Sequence, residues 1–373
     1  MNRKFINDSY WDKSFDYIAE QLGRDQVLHI ETPSPAFVDS KQTISKYIVS
    51  ELLFRLIARI LRLMLFPRID GLQLGSKIFP NKTVASNILR NESLAFYSLF
   101  RIYKFWFSVL KPKAIFVDAA YGACYITHAA KKLNILVVEV QHGVIGQKHP
   151  GYHIYNKNFS DYFPDYLLTF GDVEKKSLAN SFYLKNDNII SVGSFAIEKF
   201  KKIHIESAFF KHLRSKYKLL VCISDQRSCR NELVDLVAKL SIELPSIAFY
   251  YLPRDKDSEC FKRIAGLTNV YLDSSRSIYA VFNYVDVHLT CFSTCALEAP
   301  CFGVPNLLYD CNGVAKSYYG SLLDFRTTIF RSTIKEMANE LRNYKKENFK
   351  FDNYDLIKEN YCENVLCFLK NIL

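Results

Sequence analysis

The residues best equipped for chemistry lie in "ILVVEVQHGVIGQKHPGYHIY", residues 135–155. A run of β-branched residues gives way to Glu139, Gln141, His142 and Gly143, with His149, Tyr152 and His153 close behind. Imidazole titrates near neutrality, so a histidine in a loop facing a ligand suits general-base work; Glu139 and His142 are the candidate proton acceptors. Gly143 would let the backbone turn close past a ligand. Asp118, which ends "AIFVD", and Gln141, His149 and Tyr152 would line the substrate side. A lone histidine is more often structural, but this loop holds three of the chain's eight.

A second group of polar residues lies further on. Asp225, Gln226 and Arg227 follow the apolar run "LLVCIS", and Arg254 follows "FYYLP". In "FSTCALEAPCFGVP" Ser293 and Thr294 stand where a strand should give way to a helix. Either hydroxyl can cap that helix, and its free N–H groups and partial positive charge suit a phosphate. Glu298, about a turn further in, would accept hydrogen bonds from a ribose, and Gly303 and Pro305 turn the chain into the next strand. Ordinary capping explains Ser293 and Thr294 equally well. A salt bridge to Arg227 is the plain alternative for Asp225.

Apolar runs alternating with helical stretches must position these residues. In the first half "QVLHIE", "AIFVDAAYG", "ILVVEVQHG", "YLLTFG" and "IISVGS" read as strands, with "CYITHAAKKLN" as a crossover helix. After a lysine-rich linker and helix at 195–218 the pattern restarts. "LLVCISDQR", "IAFYYLPRD", "NVYLD", "DVHLTCF" and "PNLLYD" read as strands. "NELVDLVAKLSIEL", "SIYAVFNY" and "TCALEAPCFG" read as helices. The pattern predicts an α/β chain of two Rossmann-like domains facing across a cleft. Residues 1–200 would form the acceptor-side domain and 201–345 the donor domain, with a helical tail at 346–373 packing back on the first. In open parallel sheets ligands bind beyond the carboxyl ends of the strands, where all five polar clusters fall.

Composition agrees with two cores: 373 residues, 49% hydrophobic and 15% aromatic, too long for one ordinary domain and too apolar for disorder. The ten cysteines form no C-x-x-C pair and read as reduced core residues of a cytosolic protein. No apolar stretch precedes the charges of "MNRKFINDSYWDK", which speaks against a signal peptide. The net charge of +11 comes without the aromatic-interleaved basic cluster of a nucleic-acid-binding module, so nucleic acid is not an expected partner. One segment, "SKYIVSELLFRLIARILRLMLFPRIDG", sets Arg55, Arg59 and Arg62 on one helical face near residues 48–66. Its arginines rule out a membrane span. Two readings stand: a core helix with a solvated arginine stripe, or an interfacial helix that holds a cytoplasmic protein to the anionic inner membrane surface.

The motifs, in order, resemble those of a known group. "FSTCALEAPCFGVP" is similar to the S-T-x-x-x-E-x-x-x-x-G-x-P signature in the donor domain of GT-B glycosyltransferases. "VVEVQHGVIGQKHPGY" resembles the E-x-Q-H-G…H-x-G-Y segment of bacterial transferases that build capsule and lipopolysaccharide. "YYLPRDKDSE" sits where that group carries K-L-H-P-R-E, and "IISVGSF" at its interdomain G-x-x position. The resemblance spans about residues 113–315. It implies metal-independent transfer from a nucleotide sugar, a substrate rather than a cofactor, to a glycan or lipid-linked glycan acceptor. Gln226, Arg227, Arg254, Ser293, Thr294 and Glu298 would then hold the nucleotide. In related sialyltransferases the H-P histidine is tied to the donor phosphate; this chain has Leu252 there, then Pro253 and Arg254. Three other functions stay open: a transferase of Kdo or sialic acid from a CMP-sugar with Asp225 as nucleophile, a nucleotide-sugar epimerase, and an inactive sugar-binding partner. Epimerases of this shape tend to carry S-G-G where this chain has Phe292-Ser293-Thr294.

Overall fold

The β-branched runs become strands whose parallel pairing requires helical crossovers. The computed structural model describes residues 3–6, 9–32, 43–64, 82–146, 149–154, 157–202, 207–254, 259–323, 325–351 and 356–372. Residues 65–71 of the arginine-rich segment and Asp255 lie outside them. An antiparallel hairpin comes first, β1 (Arg3–Ile6) with β2 (Ser9–Asp12). A parallel pair follows, β3 (Leu28–Glu31) with β4 (Tyr47–Ser50). The segment expected to be helical from about residue 48 therefore opens as a strand. Tyr47, Ile48 and Val49 pair with β3, and the helix begins only at Glu51, running Glu51–Met64.

The first large sheet is parallel, in the order β5 (Ala114–Val117), β6 (Leu136–Val140), β7 (Tyr166–Thr169) and β8 (Ile189–Ser191). Side chains alternate across it, as a period of two demands. Val117 and Val137 meet Phe54, Ala58, Tyr103 and Ala130 of helices Glu51–Met64, Lys82–Leu110 and Cys124–Lys131. Val138, Val140, Leu168 and Val192 meet Tyr17, Phe195, Tyr361, Val365 and Phe368 on the other side. Tyr361, Val365 and Phe368 belong to helix Tyr361–Ile372, so late chain closes this face of the sheet.

The second sheet has six parallel strands. In spatial order they are β11 (Val270–Leu272), β10 (Ile247–Leu252), β9 (Leu219–Ser224), β12 (Val287–Thr290), β13 (Asn306–Tyr309) and β14 (Thr328–Arg331). All six residues of β9 are buried, as befits a strand covered on both faces. Leu219, Val221 and Ile223 face helices Arg230–Glu243 and Ile334–Arg342, whereas Leu220 and Cys222 face Phe210, Tyr279 and Phe282. Numbered within the sheet, the order is 3-2-1-4-5-6, which reverses direction between β9 and β12. That gap is the switch point where an α/β sheet opens a crevice for ligands. Both α/β units, and the Rossmann-like order of the second, agree with the fold expected from the sequence. Among the described residues no helix is long and apolar enough to cross a membrane.

Candidate functional site

The switch point of the six-stranded sheet brings together residues from three loops. Asp225 is almost fully buried, and its carboxylate accepts from Arg230 Nε (2.9 Å) and Nη2 (2.6 Å), Tyr251 Oη (3.0 Å) and the Arg254 backbone N–H (3.0 Å). Arg254 Nε in turn donates to the Asp225 carbonyl at 3.1 Å. The plain alternative for Asp225 was a salt bridge to Arg227; the ion pair is made instead by Arg230, at the start of the following helix. A carboxylate with these acceptor positions filled is a strut that fixes Arg254 at the mouth of the crevice, a poor arrangement for a nucleophile. Arg227 and Arg254 are both exposed there. Gln226 crosses the switch point: its Oε1 accepts from the Phe292 N–H at 2.8 Å.

Beyond β12 the helical turn Cys295–Glu298 runs on as a 3-10 segment to Phe302 and ends at left-handed Gly303. Thr294 makes no side-chain cap bond, whereas Ser293 Oγ accepts from the Cys295 N–H at 3.4 Å. Tyr319 anchors this turn by donating to the Ser293 carbonyl at 2.7 Å. Glu298 is buried, with Oε1 accepting from Tyr279 Oη at 2.9 Å. Leu252, in the position of the resembled histidine, packs into the core beside Tyr250 and Ala296.

On the first sheet Glu139 lies inside β6, in register with Val117 and Leu167, rather than in the loop beyond it. It is fully buried, and accepts from Tyr152 Oη (2.8 Å), from Tyr183 Oη and from the Ala120 N–H (3.3 Å). Burial outweighs these donors and pushes its carboxyl up to about 7. Tyr152 thus faces Glu139 from the core. Gln141 spends its amide within the protein: Nε2 donates to the Gly143 carbonyl and to Glu174, and Oε1 accepts from the Phe170 N–H at 2.6 Å. Burial likewise raises Glu174 to about 7. Gln141 therefore shapes the loop instead of reaching out of it.

His142, Gly143, His149 and Asp118 hold the accessible side. His142 is half-buried, and its enclosed Nδ1 has no hydrogen-bond partner among the described residues. Its ring centroid is 6.3 Å from Tyr121, which also packs edge-on against His149 and Tyr152. Burial, then the neighbouring His142, lowers the pKa of His149, whose Nδ1 accepts from the Gly151 N–H at 3.2 Å. Among the described residues a side chain on Gly143 would meet nothing within 4 Å, so the space beside it is open. Asp118 is half-buried after β5, near enough to Glu139 to help raise it.

The two groups approach each other through Tyr121 and Tyr318. Burial, followed by the charges of Glu139, Asp118 and Tyr318, holds the Tyr121 phenol above its ordinary value. The Tyr318 ring lies tilted against Phe292, centroids 5.8 Å apart, next to Ser293. Gly146 sits against the Tyr318 carbonyl and Leu322, and Val144 joins the core of the second sheet. Sequence reasoning missed Tyr121, Tyr183, Glu174, Arg230 and Tyr318. Tyr121 alone had a signal: it stands in the loop directly after β5.

No family model matches the sequence, and no curated protein matches it either. Solved structures do match its fold. The UDP-GlcNAc 2-epimerase of Methanocaldococcus jannaschii superposes over 96% of this chain and 96% of its own, at TM-score 0.56 and 12% identity. A putative UDP-N-acetylglucosamine 2-epimerase from Listeria monocytogenes covers 75% of this chain and 79% of its own (TM-score 0.54, 12% identity). The Neisseria meningitidis UDP-GlcNAc 2-epimerase bound to UDP-GlcNAc covers 75% and 81% (TM-score 0.52, 14% identity). At such identities the likeness is one of fold: two Rossmann-like α/β domains facing across a cleft, the GT-B arrangement.

Proposed function

We propose that this protein is an enzyme acting on a nucleotide sugar, and that it transfers the sugar to a hydroxyl of a glycan or lipid-linked glycan acceptor, in capsule or lipopolysaccharide assembly. The supporting observation is His142. It lies half-buried just beyond the carboxyl end of a parallel strand, the end at which α/β sheets bind ligands, and beside the open space at Gly143. In this reading the nucleotide lies across the β9–β12 switch point, on Ser293, Thr294 and Glu298, with Gln226 holding the crevice wall. The acceptor oxygen forms a bond to the anomeric carbon as the carbon–oxygen bond to phosphate breaks. The electron pair leaves with the nucleotide, whose charge Arg254 and Arg227 offset, and the acceptor proton passes to His142. Glu139 and Asp225 act as positioning residues: Glu139 through Tyr152 and Tyr121, Asp225 through Arg254.

A second reading, nucleotide-sugar epimerase, is favoured by solved epimerases that match up to 96% of the chain. One experiment separates the two. The protein is incubated with UDP-, CMP-, GDP- and ADP-sugars, with and without glycan acceptors, and nucleotide release and sugar configuration are followed. Transfer predicts release that depends on acceptor; inversion of the free donor without acceptor would replace it with the epimerase. For the transferase, His142→Ala should lower turnover by about 100-fold or more while donor affinity and melting temperature stay near wild type. Full activity in that variant would remove His142 from the mechanism.

A further inference from the structure

Helix Glu51–Met64 carries two apolar stripes where a surface helix ordinarily has one. Phe54 and Ala58 face inward, with Phe54 packed on Tyr103 (5.1 Å) and edge-on to Trp106 (4.7 Å) of helix Lys82–Leu110. Leu53, Leu56, Ile57 and Ile60, at i, i+3, i+4 and i+7, form the second stripe and are exposed; Ile60 is 55% exposed. Arg55 and Arg59 are exposed along one flank, with Arg62 half-buried behind them. Arg55 is tied to Glu51 at 2.9 Å, whereas Arg59 makes no ion pair among the described residues. Helix Lys82–Leu110 adds exposed Phe105 and Val109, the latter one turn from the Trp106 contact. Exposed Arg101, Lys104, Lys111 and Lys113 stand on and just after it.

We propose that this face docks on an anionic phospholipid bilayer, with the outer stripe of Glu51–Met64 lying in the plane of the interface. The proposal is independent of the reaction catalysed. Its argument is charge complementarity. An apolar stripe rimmed by arginine and lysine fits acyl chains beneath negative headgroups. A two-fold contact between copies would instead set this rim against itself, since an isologous interface repeats one patch on both sides. The helix has 14 residues, enough to lie on a bilayer and too few to span it.

The test is co-sedimentation of the full chain with vesicles of phosphatidylglycerol and phosphatidylcholine, and with vesicles of phosphatidylcholine alone. Binding should be strong only to the anionic vesicles and should collapse at about 1 M salt, where the screening length is about 3 Å. Arg59→Glu should weaken it about fivefold or more, and Leu56→Ser with Ile60→Ser about tenfold or more. Both variants sit on the exposed side, so circular dichroism and melting temperature should match wild type. Equal binding to both vesicle types, or none at low salt, overturns the proposal. So does a dimer in light scattering that Leu56→Ser with Ile60→Ser dissolves, because the stripe is then a contact between copies.

Discussion

At the scale of single residues, Glu139 shows how far a side chain's surroundings decide its role. An ordinary glutamate titrates near 4.5, but burial holds this proton until about 7. Between those values the folded protein binds more protons than the unfolded chain, so this contribution to stability falls as pH rises through that window. Glu139→Gln keeps the shape and removes the ionisation. Its melting temperature should therefore drop less than wild type's, by roughly a few degrees, between about pH 5 and pH 8. Parallel melting curves would mean that Glu139 ionises in the fold without penalty. The sequence showed which polar residues end or adjoin strands, because β-branched runs stop at them. It did not show their partners. Tyr183 is 44 residues from Glu139, and Arg230, not Arg227, reaches Asp225 because the turn of helix after β9 carries it there. Such pairings are set by tertiary packing, and nothing local marks them.

At the scale of elements, β5 to β13 were legible because each is a short apolar run between polar or turn-forming residues. β4 and β14 were not. "YIVS" runs unbroken into a helical apolar stretch, and "TIFR" borders charged tail that resembles helix. The six-stranded sheet also hides a polar line that no periodicity reveals. Ser224 Oγ bonds His288 Nε2 (2.8 Å), His288 Nδ1 bonds Asn306 Oδ1 (2.7 Å), and Asn306 Nδ2 donates to Thr328 Oγ1 (3.1 Å). Burial lowers the His288 pKa to about 4, so the ring is neutral near pH 7: one nitrogen donates and the other accepts. The line thus stitches β9, β12, β13 and β14 together, and Asn306 also donates to the Ala296 carbonyl (2.7 Å) in the proposed nucleotide-binding turn. His288→Leu would leave Ser224 and Asn306 unsatisfied in the core and should cost about 2 kcal/mol or more. A lower urea midpoint with unchanged slope would register that loss; an unchanged midpoint would mean the line is dispensable.

At the scale of the whole molecule, the junction after β8 depends on Gly193. Its φ of +96° is one that side chains rarely adopt, and a Cβ there would collide with the Lys358 carbonyl oxygen. Lys358 itself donates from its backbone to the Phe170 carbonyl at 2.7 Å, and Asn364 donates to the Val192 carbonyl at 3.1 Å. Gly193→Ala should therefore loosen helix Tyr361–Ile372 from the first sheet and open it to limited proteolysis before any other secondary structure is lost. Cleavage no faster than in wild type would show that the backbone absorbs the added methyl group. The same helix has a consequence for how the protein is made. Val138, Val140, Leu168 and Val192 share their core with Tyr17 from early in the chain and with Tyr361, Val365, Phe368 and Leu369 from far along it. A ribosome delivers the four-stranded sheet well before that helix, and must translate the entire six-stranded sheet in between. Throughout that interval Tyr17, Ile18 and Phe195 cover only part of that apolar face, so the core of the sheet made first stays incomplete until the late helix has been translated.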